Sequence, residues 1–310
     1  MTQNIPLAIA LGVLASLGFA LGATLQHSGI DRIVGRDGDR HMNFRRVLAM
    51  LRTPVWLIGT LFILTGAGFH LLGVNLAPVT VIQPVGILAV PFAVLLAARK
   101  NRSTPTRGMW LAIAMAVAGI VTFTFFSSRS AATNTLIDMQ MILVASVIVW
   151  ALAGLFVVLA ANGPHGSRCL AWATAGAFLY GLATALMKTT LELYQQGQEG
   201  PLMFWLSLSG LLLCYGVGAW FIQQAYASGP AEIVVGSMPV IESLVAVAFG
   251  IIVLGEGRHI GTISAAGMVT MGALAAWGVT LLSKYHPDAT KAFEQDSGLR
   301  ARETMEGRTR

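Results

Sequence analysis

Apolar residues run through this chain in long blocks, not in the 3.6-residue alternation of a soluble helix, and a bilayer crossing needs ~20 such residues. Nine blocks of that kind can be marked, at 5–25, 55–76, 79–98, 108–127, 140–161, 169–191, 203–225, 231–253 and 262–283. The strand-by-strand alternation of a membrane β-barrel is absent. The first block has no basic residue ahead of it and is longer than a signal-peptide core, so it reads as a retained span. The expected fold is an all-α integral membrane protein of about nine transmembrane helices.

Two blocks are interrupted from within. Ala77–Val90, APVTVIQPVGILAV, carries two prolines, a glutamine and a glycine, and Pro91 follows it. The stretch 229–250, GPAEIVVGSMPVIESLVAVAFG, repeats the design, so that Pro84-Val85 aligns with Pro239-Val240, 155 positions later. Pro84, Pro91 and Pro239 are expected to break their helices, each freeing the carbonyl four residues earlier, on Thr80, Ile87 and Val235. Paired, proline-broken spans in corresponding halves of a membrane chain point to a transporter's binding site.

Composition agrees with the blocks: 55% of the 310 residues are hydrophobic and 11% are charged, against ~25% charged in soluble domains. The net charge of +6 does not imply nucleic acid, because the basic residues sit in loops and a tail between apolar spans. Seventeen of the twenty fall on one side of the nine-span arrangement: six between His27 and Pro54, four between Arg99 and Arg107, Arg168, and six from Lys284 onward. Arg129 and Arg258 fall on the other side, and Lys188 lies within a span. Positive charge accumulates on the cytoplasmic side. The N-terminus is therefore expected outside and the C-terminus inside, in a bacterial cytoplasmic membrane. Cys169 and Cys214 lie in or beside apolar spans and suggest neither a disulfide framework nor a metal set.

With that orientation, spans one to four begin outside and spans six to nine begin inside. The expected organisation is an inverted 4+1+4 repeat: a first half-bundle over 1–127 with a basic cytoplasmic loop at 27–54, a connector over 128–168, a second half-bundle over 169–283, and a cytoplasmic tail over 284–310. Trp56-Leu57 opens span two, which ends at Pro78, and Trp205-Leu206 opens span seven, which ends at Pro230. In the basic loop, Phe44, Val47, Leu48 and Leu51 recur at helical spacing beside Arg45, Arg46 and Arg52, which reads either as a short helix lying on anionic headgroups or as a simple basic loop that sets orientation.

Several of these residues together resemble the drug/metabolite transporter superfamily, and within it the NIPA-like magnesium-transporter and EamA-like branch. They are Gly22–Gly29 (GATLQHSG), Trp56-Leu-Ile-Gly59, Ala77-Pro78 followed by Val81-Ile-Gln-Pro-Val-Gly-Ile-Leu88, Lys188, and Leu254-Gly-Glu256. The likeness covers roughly residues 5 to 283. It implies nine spans, an outside N-terminus and secondary transport, with magnesium as one implied substrate.

Glu242 falls near the middle of span eight, where a carboxylate costs roughly 2.5–3.5 kcal/mol on insertion scales and must face the bundle interior or water. It is the first candidate for a substrate-binding or proton-coupling group, and for a metal ligand if the substrate is a divalent cation; no other metal site is expected. The alternative is a structural acid bonded to a neighbouring helix. Gln83 beside Pro84 could hydrogen-bond a solute or relieve a kink. His70 in span two could shuttle protons or pack as a core residue. Lys188, four residues before Glu192, could gate a path, or be neutralised by Glu192 while snorkelling toward water.

No phosphate loop, metalloprotease helix or nucleophile–base spacing is present, so the chain is not expected to be an enzyme and needs no cofactor. The leading expectation is a secondary transporter of a small organic solute. The others are a Mg²⁺ or other divalent-cation transporter and a non-transporting membrane partner or lipid-handling protein. Expected partners are the solute or ion, the lipid bilayer and, as a candidate, a second copy in a homodimer; nucleic acid is not among them.

Overall fold

A computed structural model describes residues 4–34, 52–100, 104, 106–130, 137–197, 201–228 and 231–283. Among them the regular structure is entirely helical, in chain order α1 (Ile5–Val34), α2 (Pro54–Leu76), α3 (Val79–Gly86), α4 (Ala89–Lys100), α5 (Arg107–Ser130), α6 (Met139–Asn162), α7 (His165–Gln195), α8 (Leu202–Ser228), α9 (Ala231–Ile252) and α10 (Thr262–Ser283). A short 3₁₀ turn, Glu256–His259, precedes α10. The expected interfacial helix around Phe44–Leu51 and the tail from 284 lie outside the described residues.

Helix ends follow local chemistry. Pro54 occupies the first turn of α2, where a missing N–H is harmless. Asp138 caps α6 by accepting from Met141 N at 3.2 Å.

Among the described residues, eight helices are long and apolar enough to cross a membrane. The ninth expected span falls on α9, a continuous helix of 22 residues, whose apolar part among the described side chains is Ser237–Ile252. Span three, Val79–Arg99, is one crossing made of two helices, interrupted as expected but at a different place. It divides at Ile87-Leu88 into α3 and α4, between its two prolines and not at either of them. Pro84 lies inside α3, and Pro239 sits within an uninterrupted α9. The break has a local cause: Pro91 has no N–H to offer the Ile87 carbonyl, which takes Val90 N instead at 3.0 Å, in a tighter turn.

The helices pair through glycine. Cβ atoms at Gly22 and Gly59 would each meet the partner helix's backbone, so α1 and α2 lie in close contact there, and Gly176 and Gly218 bring α7 and α8 together in the same way. The α5–α10 seam is just as tight, with Gly119 against Ala275 and Gly278 against Ala116. Small residues are what allow such approach between membrane helices. Around this core, α3 packs on α1, α5 and α9, while α7 packs on α6, α8 and α9. The outward faces of α6 and α8 present Val147, Ile148, Leu155, Leu212 and Leu213, a surface suited to an apolar solvent.

Candidate functional site

The two proline-bearing elements meet. Along α3 every residue from Val79 to Val85 is buried, and α9 lies across it. Tightening at Ile87-Leu88 turns Ile87 N to Pro84 O and so takes a backbone donor from the Gln83 carbonyl, while Val85 O keeps Leu88 N; hydroxyls from neighbouring helices bond both carbonyls. Ser243 of α9 donates to Gln83 O at 3.2 Å, and Ser16 of α1 donates to Val85 O at 2.9 Å while also reaching Gly12 O at 2.8 Å. Replacing Ser16 by Ala is expected to lower stability by about 1 kcal/mol, the usual net worth of one such bond. Thermal denaturation in a fixed detergent measures it.

Gln83 is buried, and its Nε2 has no hydrogen-bond partner among the described residues. Its side chain is nevertheless a near neighbour of the Glu242 carboxyl, close enough to interact electrostatically but outside full hydrogen-bond geometry. Glu242 is half-buried on α9 and also senses the Tyr215 hydroxyl of α8, which neighbours Thr184 of α7. The carboxyl therefore belongs to an interior polar set and is not isolated among apolar side chains. The structure brings Glu242 and Gln83 together, one from each side of the α3–α9 contact. It also leaves capacity unused, in the amide donor.

His70 and Lys188 belong elsewhere. The His70 ring is buried on α2 against Phe19 of α1, with centroids 6.2 Å apart. Among the described residues no hydrogen bond or ion pair joins it to the Gln83–Glu242 pair. Lys188 does not snorkel to water, as one of its two readings had it: the residue is only 4% exposed. Its Nζ pairs with Glu192 at 3.3 Å and donates to the carbonyls of Val74 at 3.0 Å and Ala77 at 3.4 Å. A fixed cation there satisfies the last carbonyls of α2 and complements the negative end of that helix.

Glu256 was legible only as the end of a Leu-Gly-Glu motif, and its role is larger than that. The carboxylate is fully buried and holds the first turn of α3, accepting from Val79 N at 2.8 Å, Thr80 N at 2.9 Å and Thr80 Oγ1 at 2.6 Å. All three partners are donors, matching an acceptor-only carboxylate. Two local features make room for it. Gly255 adopts a left-handed conformation, φ +69°, which turns the chain back after α9. Gly250 has no side chain where a Cβ would lie 2.8 Å from Glu256 Oε2. The sequence signal for this cap was an acid just past an apolar span, with nothing to name its partner.

A hollow of about 60 Å³ lies between α3, α5, α9 and α10, bordered by Pro84, Phe123, Val240, Ser243 and Gly272. It is apolar except for Ser243, and Glu242 does not line it. Two further buried hydroxyls on α5, Thr124 and Ser127, have no hydrogen-bond partner among the described residues.

No family model matches the chain, and no solved structure does. It is similar to an uncharacterized protein of Corynebacterium glutamicum, 24% identical over 259 residues that cover 83% of this chain and 87% of that one. A match of that length takes in both proline-bearing stretches.

Proposed function

We propose that this chain is a secondary transporter of the drug/metabolite type, moving a small organic solute across a bacterial cytoplasmic membrane by alternating access of two half-bundles. The reading is carried by one observation: Gln83 and Glu242 face each other between α3 and α9 with a buried amide donor left open. An unsatisfied buried donor costs about 1–3 kcal/mol, and an acid at membrane depth costs roughly 2.5–3.5 kcal/mol. A group able to complete both, such as a solute bearing a donor and an acceptor, would relieve them together.

The helix pairing supports an inverted 4+1+4 arrangement. The α1–α2 pair of the first half matches the α7–α8 pair of the second, α3 matches α9, α5 matches α10, and α6 is the connector. Such architecture places a binding site where the broken spans of the two halves meet. The positive-charge bias supports an outside N-terminus. The open Gln83 Nε2 is a donor, which suits an acceptor on an organic solute and cannot ligate a cation, so the organic-solute reading is preferred to the divalent-cation one.

The test is reconstitution into liposomes, with currents on solid-supported membranes recorded for a panel of amino acids, nucleosides, sugars and quaternary ammonium ions. Mg²⁺ entry is followed in parallel with a trapped dye. At least one organic solute is expected to give a saturable current that falls at least tenfold in Glu242→Gln, with an unchanged gel-filtration profile. Mg²⁺ entry alone, lost in the same variant, would replace this reading with cation transport. A defined co-purifying partner, with silence across the whole panel, would replace it with a non-transporting component.

A further inference from the structure

Lys188 and Glu256 take no part in the Gln83–Glu242 pair, yet they converge on a single short turn. Both come from the second half-bundle and both hold backbone atoms of the first, at the junction of α2 and α3. Among the described residues, neither of the two at the junction carries a capping side chain. Ala77 closes α2, and Pro78, which precedes α3, makes no side-chain cap. Lys188 reaches across 111 to 114 positions and Glu256 across 176 to 177 to supply what local residues ordinarily would. Caps supplied from the other half hold only while the two halves stay together at this end.

Burial along the seam follows the same logic. On α9, Val234 is buried against α7 and α8 of its own half and Ser237 to Glu242 are half-buried, whereas Phe249 and Gly250 near its end, and Val253, Leu254 and Glu256 just after it, are buried, with Ile252 between them exposed. The contact between the halves is thus sealed at the end where the caps sit. We infer that Glu256 and Lys188 form a releasable latch: closed, as here, it shuts one end of the path between the half-bundles, and released, it lets that end part. The atoms it holds are helix-terminal donors and carbonyls, and hydrogen bonds exchanged for water at a bundle end are close to balanced. Neither helix has to unfold for the latch to open. Its role as a gate rests on the transport reading; its reversibility does not.

Amide hydrogen exchange of the unmodified protein in lipid nanodiscs tests the latch directly. The amides of Val79 and Thr80 are expected to exchange at least tenfold faster than those in the α5–α10 seam around Ala116 and Ala275, because they open locally. Equal protection in both places would make Glu256 a permanent cap and overturn the inference. Gly250→Ala provides a variant that keeps every latch residue but crowds the carboxylate. It is expected to speed exchange at 79–80 at least tenfold and leave the seam unchanged. Val81→Cys, in a background with Cys169 and Cys214 replaced by Ala, should react with a charged methanethiosulfonate at least tenfold faster when Glu256→Gln is added; an unchanged rate would deny the latch its gate. Silence across the solute panel together with fast local exchange would remove the transport reading and leave the latch. Transport together with slow, seam-like exchange would do the reverse.

Discussion

Glu256→Ala is expected to lower the stability of the folded protein by about 2–4 kcal/mol, the larger of the side-chain losses foreseen here. The carboxylate satisfies two backbone donors and a hydroxyl at the start of α3, within 2.6–2.9 Å. If the site stayed closed, each orphaned donor would cost about 1–3 kcal/mol. If the end of the bundle parts and water takes the donors, the loss falls toward the net value of about 0.5–1.5 kcal/mol per bond. The range given lies between these limits, because loss of an N-cap alone costs about 0.5–2 kcal/mol. Glu256→Gln keeps one acceptor but turns an amide N–H₂ toward a donor, so it should fall between wild type and Ala. Thermal unfolding of the three proteins in one detergent gives the order; an Ala variant as stable as wild type would mean that Val79 and Thr80 have another partner.

Gly119→Ala and Gly278→Ala are each expected to cost about 1–3 kcal/mol, through overpacking that the seam cannot absorb. A Cβ at Gly119 would lie 2.6 Å from Ala275 N and 2.7 Å from Met271 O; one at Gly278 would lie 2.5 Å from Ala116 N and 2.9 Å from Ala112 O. These neighbours are backbone atoms of a packed helix and cannot swing aside as a side-chain tip would. The two losses should not simply add, because one displacement of α10 from α5 relieves both. The double variant is expected to lose its monodisperse gel-filtration peak. Gly68→Ala and Gly154→Ala are the controls: nothing lies within 4 Å of a Cβ at either position, and both should be close to neutral. Equal destabilisation by controls and seam variants would show that glycine acts here through helix propensity and not through close packing.

Gln83-Pro84-Val85-Gly86 and Leu254-Gly-Glu256 both make contacts between distant helices, but the sequence suggested a chemistry only for Gln83. Gln83 and Glu242 could be singled out in advance because polar residues inside apolar blocks are conspicuous in one dimension. His70 met the same criterion and turned out to pack against Phe19. Lys188 met it too, but it closes the end of α2 and does not reach for water. The helix break was legible at short range, because Pro91 cannot donate to the Ile87 carbonyl, whereas the hydroxyls of Ser16 and Ser243 that bond the carbonyls beside it come from distant helices.

What the chain determined by itself was its helical, bilayer-length character and the position of its irregular stretches, since both depend on composition and on proline's missing donor within a few residues of sequence. Only the tertiary structure decided that α3 is capped by an acid 176 residues away, that a lysine ends α2, and that the hollow between the proline-bearing helices is apolar while Glu242 faces Gln83 beside it. The physical reason is that a backbone group at a helix end takes whichever partner the packing of distant helices brings within about 3 Å, and no local periodicity records which one that will be.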